Sequence, residues 1–516
     1  MMRDFSSLES LTLLSLFCCL LAYFWSHFFS LKNKLVGLPL PPGPKANFWG
    51  NVNLPRLRPW LAYASDEWRK IYGELIYIRV FGNPILVLNT ATVVSDLLEK
   101  RSGKYSSRPV RTMIVDLIGW DWLVSAFPYG TWWQAHRIML HRHLPANGSS
   151  VTWHPLQIQE THALCRRLLT SPKDFRNHVR KCAARIVLKM TYGPQVGEAN
   201  DYVALADKAL ASLAEAGIFG TYLVDYIPFL KYAPVFFRFR RKALEWRKPV
   251  RAMLETPYAI VKDEMARGTA SKCLVSEELE RVSLAHVPSD EKIIKNVAAT
   301  MYAAGADTVV SAISSLFLAM SIHPESQKRA QSELDKVIGP EHRLPVFTDR
   351  SQLPYIDYIC YELLRWNPVT PLGLAHFITE DDVYKGYRIP KGTTVLPNVW
   401  AILHDPEMYP DPLAFDPERF SPENRKNGLN QLPDPAFGFG RRICPGKYLA
   451  LDTLWIVVAT VLTVYEISKE VDKHGKVKEP CTDFTPNSLS HPMPFSCTIV
   501  PRSSAARQLI LQTEIQ

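Results

Sequence analysis

The stretch from Phe437 to Gly446 (FGFGRRICPG) constrains this chain most, because it places one cysteine between two glycines directly before an apolar, helix-like segment. Glycine has no Cβ, so Gly440 and Gly446 allow the backbone to turn tightly and to approach a flat ligand. Cys444 lies at the predicted helix N-terminus beside two arginines, where amide N–H groups and positive charge stabilise a thiolate. The pattern indicates a metal-binding cysteine.

The alternative interpretation is a buried structural cysteine in a glycine-rich turn, since free cysteine is among the most buried residue types. A lone Cys-x-Gly favours that alternative. The complete loop, however, resembles the haem-binding signature of the cytochrome P-450 family at every fixed position: Phe437, Gly440, Arg442, Cys444 and Gly446. The resemblance implies that Cys444 is the axial ligand of haem b and that Arg442 pairs with a haem propionate. An axial thiolate donates electron density that favours O–O cleavage.

Composition indicates a globular protein with a large core, because 47% of the 516 residues are hydrophobic and 21% are charged. The nine cysteines are scattered without the spacing of a disulfide framework or a zinc site, which suits a reducing, cytosol-facing location. A net charge of +10 is compatible with nucleic acid, an anionic membrane or an acidic partner. No basic stripe interleaved with aromatics is present, so we expect no nucleic acid.

The N-terminal region predicts a membrane anchor. Ser10 to Phe29 is a twenty-residue apolar run, about the length that a helix needs to cross a bilayer. A cleaved signal peptide is the alternative; the length of the run, the lack of an Ala-x-Ala-like site and the following Lys32 and Lys34 argue against it. The lysines place the downstream chain in the cytosol. The predicted parts are a lumenal N-terminus (1–9), a transmembrane helix (10–29), a proline-rich hinge (30–45), a catalytic domain (46–502) and a weakly ordered tail (503–516).

Two strands, Leu75 to Val80 and Ile85 to Leu88, are predicted around a Gly-Asn turn, and Thr90 is positioned to cap a helix that continues to about Arg101. This pattern resembles the small β-rich lobe of the P-450 fold. The fold class is therefore expected to be mainly α, with a large helical domain, this small lobe and the N-terminal transmembrane helix.

Trp133 and Arg137 are four residues apart and share a helix face. Alone, the pair suggests a core tryptophan and a surface arginine. In this chain it resembles the third long helix of the family, in which both side chains hydrogen-bond a haem propionate. Gln134 stands where many relatives have arginine. His376 is a further expected propionate partner, although Phe377 follows it where relatives often have arginine.

A long helix is predicted from Ile293 to Met320, interrupted by the small and polar sequence AAGADT at 303–308. An Asp-Thr pair inside an apolar helix needs polar partners or water. A close helix crossing is the alternative. The resemblance implies the oxygen-activation helix, in which Gly305 makes room over the haem while Asp307 and Thr308 organise water and protons.

Glu362 and Arg365 lie three residues apart on one predicted helix face. Random Glu-x-x-Arg matches are common, but the order of motifs in this chain resembles the family's structural pair. The resemblance joins them to Arg419 in a Pro-Glu-Arg-Phe segment, and the three residues are expected to brace the loop that carries Cys444.

The expected substrate pocket is apolar, which favours a terpenoid substrate. The expected pocket residues are Ala303, Ala304, Val369, Leu372, Leu374 and Leu489.

Between Tyr202 and Arg251 two helical segments flank an aromatic and basic patch, which suits a membrane interface as well as a buried loop. The polar segment 268–288 is predicted to be a surface connection.

The resemblance as a whole implies a microsomal monooxygenase, an oxidoreductase that inserts one oxygen atom from O2 into a small apolar substrate. Its expected partners are membrane lipid and a separate NADPH-cytochrome P-450 reductase, with cytochrome b5 as an optional second donor. The endoplasmic reticulum membrane is the expected location. A haem-dependent isomerase or dehydratase that acts without O2 is one alternative, and a haem sensor without turnover is another.

Segments outside the haem motifs resemble fungal, basidiomycete secondary-metabolism members of the family, such as O-methylsterigmatocystin oxidoreductase-like and tryptamine-hydroxylase-like enzymes. These segments are Asp382 to Tyr387, Ile389 to Gly392 and Arg365 to Asn367. They indicate a natural-product pathway, and hydroxylation of an indole, another aromatic or a polyketide is an alternative to terpenoid oxidation.

Overall fold

The computed structural model describes residues 37–51, 58–145, 149–198, 200–217, 220–285, 291–339 and 343–514. The predicted transmembrane helix, 10–29, lies outside the described residues. The described chain is mainly helical with small sheets, as the sequence predicts. The helices are α1 (Pro59–Ala64), α2 (Asp66–Tyr72), α3 (Ala91–Val94), α4 (Ser102–Tyr105), α5 (Thr131–His143), α6 (His154–Thr170), α7 (Phe175–Tyr192), α8 (Pro194–Glu198), α9 (Asn200–Gly217), α10 (Arg238–Ala266), α11 (Leu274–Ala285), α12 (Glu291–Ile322), α13 (Pro324–Ile338), α14 (Pro354–Trp366), α15 (Val399–Leu403), α16 (Lys447–Val464) and α17 (Ser504–Gln512).

Helix α12 is the centre of the large helical domain. It packs along α7 and contacts α5, α11 and α16. Most of its residues are buried, and its neighbour α16 is also apolar around nearly its whole circumference. A helix that is apolar on all sides must be surrounded by protein or lipid. By length and composition alone these two helices of the described chain could span a membrane, but most of each is buried inside the fold.

The small lobe is built on a four-stranded sheet. Strands β1 (Leu75–Val80) and β2 (Asn83–Leu88) form the predicted hairpin, and Thr90 accepts a hydrogen bond from the Val93 N–H at the start of α3. β2 continues the sheet in parallel to a later strand, which pairs in turn with His376–Phe377. The remaining strands are β3 (His376–Phe377), β4 (Asp382–Tyr384), β5 (Tyr387–Ile389), β6 (Thr394–Pro397), β7 (Tyr465–Val471), β8 (Val477–Lys478) and β9 (Cys497–Pro501).

The described part of the proline-rich hinge is extended, as predicted, and is bonded to the small lobe. The Tyr77 N–H donates to Pro42 O at 2.8 Å, and the Arg388 N–H donates to Pro39 O at 2.8 Å. Gly43 lies against β1 so closely that an added Cβ would be 1.8 Å from Tyr77 O. Only glycine permits this contact.

Two predictions about surface segments are wrong. The segment 268–288 contains helix α11, whose Leu274, Val275 and Glu278 are buried. The tail expected to be weakly ordered forms α17, in which Ser503 caps the first turn and Ala506 and Ile510 are buried. In both segments a few apolar residues at helical spacing pack on the core, and the polar composition of the remainder hides them from a sequence reading.

Glu362, Arg365 and Arg419 form a buried ion cluster. Arg365 donates to both carboxylate oxygens of Glu362 at 2.7 and 2.8 Å, and Arg419 Nε lies 3.5 Å from Glu362 Oε1. Arg365 also donates to Pro412 O and Ala414 O. The cluster therefore fixes the irregular chain that follows α15 and leads toward the cysteine loop.

We predict that Glu362→Ala lowers the free energy of unfolding by ~3–5 kcal/mol, because Arg365 is left fully buried without its counter-charge. Urea unfolding followed by circular dichroism measures the change. Asp263→Ala is the matched control, since it removes an ion pair to Arg267 whose side chains are 61% and 67% exposed, and we expect a loss below about 1 kcal/mol. Equal losses in the two variants would contradict the bracing role.

Candidate active site

The cysteine loop is a succession of tight turns before α16. Single 3-10 turns span Asp434–Phe437 and Gly440–Arg442, and the Cys444 N–H donates to Phe437 O at 2.8 Å. Gly440 has φ +54°, and a Cβ there would lie 2.2 Å from Leu98 O. Gly440 is thus required by close packing of the loop on the helical segment after α3, and this packing fixes where Cys444 projects.

Cys444 is an exposed residue, but desolvation of its sulfur raises the thiol pKa above the ordinary value. The Gly446 N–H and the positive charges of Arg137 and Lys447 act in the opposite direction and offset part of this rise in pKa. These donors are what a bound thiolate needs, because each stabilises negative charge on sulfur.

Arg442 is buried against Trp133, with its guanidinium carbon 4.2 Å from the ring centroid. It donates to Ser106 O and Phe127 O at 2.6 and 2.7 Å. Desolvation, together with the positive charge of Arg137, lowers its pKa to about 10. The sequence-predicted Arg442 and Trp133 are therefore brought together, one stacked on the other.

Arg108 belongs to the same cluster and was missed by the sequence analysis. Its Nη1 donates to Leu374 O and Ala375 O, each at 2.7 Å, and its buried Nε has no hydrogen-bond partner. Burial and the nearby Arg442 lower its pKa to about 9. Its only sequence signal is an arginine between two serines and a proline, which by itself indicates nothing more than a turn.

His376 is buried next to Arg108, and its Nδ1 hydrogen-bonds Tyr105 O at 2.8 Å. Burial and the charges of Arg108 and Arg442 hold its pKa well below the ordinary value. The predicted propionate partner is thus placed with the two arginines as a neutral ring.

The charge balance of these residues decides whether a haem fits the site. Within the described residues, no carboxylate forms an ion pair with Arg108, Arg137 or Arg442, although two of these guanidinium groups are buried. Buried cations without counter-charge are costly and call for an anionic ligand. A macrocycle with two carboxylates, held by a nearby thiolate, supplies that charge, so the residues present fit the group.

Arg137 reaches the cysteine loop itself. Its Nη2 donates to Ile443 O at 2.7 Å and its Nε donates to His141 Nε2 at 2.8 Å. The structure thus bonds Arg137 to the residue preceding Cys444. Its predicted propionate contact stays a prediction.

Helix α12 presents a small face at the predicted oxygen-activation sequence. Ala304 is exposed, and Thr308 Oγ1 donates to Ala304 O at 2.7 Å. Ala303 is buried in the core instead. A Cβ on Gly305 would lie 2.8 Å from Val187 Cγ2, so the space that Gly305 provides is taken by α7. Gly305 therefore permits close packing of α7 on α12, and its predicted role of making room over the haem stays a prediction.

Asp307 points away from that face and is paired on two sides. Its Oδ1 lies 3.2 Å from Arg180 Nη2, and its Oδ2 lies 3.2 Å from His491 Nε2. Burial raises its pKa, but the hydrogen bond and charge of His491 and the charge of Arg180 outweigh burial, so the pKa is below the usual value. The carboxylate is held ionised.

The predicted pocket segments converge around α12. The Ser490 N–H donates to Val369 O at 2.8 Å, and Ser311 of α12 donates to Ser490 O. Val369 is buried, Leu372 and Leu489 are partly buried, and Leu374 is 52% exposed. The structure therefore joins the Val369 segment, the Leu489 segment and α12 through backbone contacts, while the role of each side chain in substrate contact stays a prediction.

Three features together are typical of a haem-thiolate protein. They are the mainly helical fold, the cysteine between two glycines, and the side chains of Arg108, Arg137 and Arg442, which have no carboxylate partner among the described residues. The family model for Cytochrome P450 matches residues 41–496. This chain belongs to the cytochrome P450 family, whose members bind haem through a cysteine thiolate.

Fungal relatives support the same conclusion over nearly the whole chain. Cytochrome P450 monooxygenase ARMGADRAFT_974139 of Armillaria gallica is 42% identical, with 92% of this chain and 94% of the relative covered. Cytochrome P450 monooxygenase 208 of Postia placenta is 41% identical, with 92% of each covered. Cytochrome P450 monooxygenase COX2 of Coprinopsis cinerea is 40% identical, again with 92% of each covered. The chain is accordingly an enzyme, a cytochrome P450 monooxygenase.

We predict that Arg108→Met weakens haem binding by roughly 10- to 100-fold, because a hydrogen bond to a charged group contributes ~1.5–3 kcal/mol. The rate of haem transfer to an excess of apomyoglobin measures the change. Arg267→Met, at an exposed position on the surface, is the control and should leave the rate unchanged. Retention of haem by Arg108→Met at the wild-type level would remove Arg108 from the site.

Proposed function

We propose that the enzyme inserts one oxygen atom from O2 into a small, largely apolar natural product of fungal secondary metabolism, with a terpenoid as the favoured substrate class. The observation that carries the proposal is that the cysteine loop lies near buried Arg108 and Arg442, which have no carboxylate partner among the described residues. The fungal origin of the monooxygenase relatives supports a fungal pathway.

Haem b, when bound, supplies the O2 activation and electron transfer that amino-acid side chains lack. Cys444 would hold the iron through its thiolate. The haem carboxylates would be held by Arg442, Arg108 and His376. The ring of Trp133 stacks on the Arg442 guanidinium. The protein thereby fixes the orientation of the group and balances its charge.

The distal residues would control protons and water. Thr308 is anchored to its own helix by a bond to Ala304 O, which leaves the hydroxyl lone pairs available to a water molecule. Asp307 precedes Thr308 on the helix, points away from the Thr308 face and carries the ionised carboxylate. A hydroxyl that orders water and a neighbouring carboxylate that can pass protons to that water are suited to general acid catalysis.

The substrate proposal depends on the chemistry of the pocket walls. The expected lining from 369–375 and 303–304 contains Val, Leu, Pro, Gly and Ala and one threonine, with no charged side chain. An apolar wall excludes water and favours a hydrocarbon skeleton over a polar one. Hydroxylation of an indole or polyketide ring is the second substrate class, which the same wall admits.

We infer electron delivery by a separate NADPH-cytochrome P-450 reductase and attachment to the endoplasmic reticulum membrane. Among the cations suited to an acidic partner, Arg142 is paired with Glu278, and Lys447 with Asp434 at 2.8 Å. A partner that uses them would compete with those carboxylates. Tyr232, Phe236 and Phe237 are exposed between α9 and α10 and provide apolar surface for a lipid interface.

We predict that Cys444→Ser abolishes the red-shifted Soret band of the reduced carbon monoxide complex, because serine cannot supply the thiolate. Absorbance difference spectra of purified protein measure the band. Cys481→Ser, at another exposed cysteine, is the matched control and should keep it. Persistence of the band in Cys444→Ser would show that the ligand lies elsewhere.

We predict that Thr308→Ala keeps haem and the carbon monoxide band but diverts NADPH electrons into hydrogen peroxide, because the hydroxyl that orders water is lost. NADPH consumption and peroxide release are measured with added reductase. Thr300→Ala, at a buried threonine of α12 that accepts the Val124 N–H at 3.1 Å, serves as the control and should leave the coupling unchanged. Unchanged coupling of NADPH to product would exclude Thr308 from proton management.

Product formation from candidate terpenoid, indole and polyketide scaffolds tests the reaction itself. Co-expression with a reductase in yeast, followed by mass spectrometry, is the measurement. We expect product only with NADPH and O2, and product that gains one oxygen atom from labelled O2. Product formed without O2 would instead indicate an isomerase or dehydratase.

A further inference from the structure

Asp307 and His491 meet although they are far apart in sequence. Asp307 lies in the middle of α12, and His491 lies in the loop before β9. His491 Nε2 and Asp307 Oδ2 are 3.2 Å apart, with side chains 22% and 14% exposed. The imidazole is therefore in contact with the carboxylate and is the more exposed of the two side chains.

The backbone on both sides of His491 is fixed. The His491 N–H donates to Thr485 Oγ1 at 3.0 Å, and its carbonyl accepts from the Thr485 N–H at 2.7 Å. Ser490 donates to Asn367 Oδ1 at 2.9 Å and accepts from Ser311 of α12. Such a framework holds the ring in one place, as an efficient proton donor requires.

The other side of Asp307 faces fixed positive charge. Arg180 of α7 lies 3.2 Å from Asp307 Oδ1 without a well-directed hydrogen bond, and it pairs with Asp207 of α9 at 2.9 Å. Tyr302 of α12 lies in the field of the same three charges. The titratable and charged groups around the pair are thus Arg180, Asp207 and Tyr302.

These neighbours differ in what they offer a carboxylate. Arginine stays protonated in proteins, so Arg180 stabilises the charged form of Asp307 but gives it no proton. Tyr302 is buried, and its pKa is raised above the ordinary value by desolvation and the nearby acids, so it also holds its proton. Histidine is the side chain that exchanges protons near neutral pH.

We propose that His491 is the positioning and proton-donating residue that feeds Asp307 from solvent; this rests on the proposed monooxygenase function. Solvent gives a proton to the ring, the ring gives its Nε2 proton to Asp307 Oδ2, and the carboxyl passes a proton to a water molecule that would bridge Asp307 to the Thr308 face of α12. One proton moves inward in each cycle and no group is oxidised or reduced. The positive charge of Arg180 favours the ionised form of Asp307 once the proton has left.

The first test compares His491→Gln with wild type, both haem-loaded and mixed with reductase, NADPH and O2 but no organic substrate. Glutamine keeps a hydrogen-bond donor near Asp307 but cannot transfer a proton. We expect peroxide released per NADPH to rise toward one, because water formation needs further protons. His474→Gln, in an exposed turn, is the matched control and should behave as wild type.

The pH profile separates proton donation from a structural effect. In wild type, peroxide per NADPH should increase as the pH is raised across the neutral range, because solvent supplies fewer protons. In His491→Gln it should be high and flat over the same range. A ratio equal to that of wild type at every pH would overturn the proposal.

The second test does not depend on turnover. Urea midpoints of haem-loaded wild type, His491→Phe, Asp307→Asn and the double variant form a double-mutant cycle. We expect the two single effects to be non-additive, because each removes the same contact, and the non-additivity to decrease as acid protonates Asp307. Additive effects at neutral pH would show that the pair does not interact and would overturn the proposal.

Failure of the proposed monooxygenase function would give different results from failure of the His491 proton relay. A wild-type protein that shows no carbon monoxide band, or consumes no NADPH with reductase, contradicts the monooxygenase and the relay together. A wild-type protein that does both, with peroxide unchanged in His491→Gln, contradicts the relay alone.

Discussion

The fold around the active site depends on one buried carboxylate, Glu362. It lies against Arg365 and Arg419 where all three side chains are almost fully buried, and it also accepts the Asp416 N–H at 2.8 Å. The arginines use their remaining N–H groups on backbone carbonyls between 403 and 414. That stretch contains almost no regular structure, so these hydrogen bonds replace the ladder that a helix or strand would supply. The position of the cysteine loop follows from this cluster.

A second electrostatic arrangement contrasts with the first. Glu362 pairs with two arginines, whereas among the described residues Arg108 and Arg442 donate to carbonyl groups and meet no carboxylate. The same residue type therefore serves two purposes, and the presence or absence of a carboxylate separates them. Where the charge is balanced, the chain is braced; where it is not, the chain is prepared for an anion.

Much of this architecture could be predicted from sequence, because it depends on local patterns. The hairpin 75–88, the helix from Lys447 and the brace residues each follow from turn chemistry, apolar periodicity or a motif of fixed spacing. The stacking of Arg442 on Trp133 joins two such motifs. Patterns within ten residues are read directly, and the order of the motifs along the chain supplies the rest.

Residues whose role depends on partners distant in sequence could not be predicted. Arg108 has no local motif, and its partners are carbonyls more than 260 residues away. At Gly305 the sequence shows that a Cβ is missing but not which side chain lies where it would be, here Val187. The link between Asp307 and His491 likewise exists only in three dimensions.

The bonding of the proline-rich segment to the small lobe has a mechanical consequence. Pro39 and Pro42 are bonded through their carbonyls to the Arg388 and Tyr77 amides, and Gly43 has no room to shift against Tyr77. The segment 39–43 is therefore held firmly against the small lobe and is not a flexible linker. A pull or a tilt applied at Pro39 is transmitted to the β1–β2 hairpin as a torque rather than absorbed by slack chain.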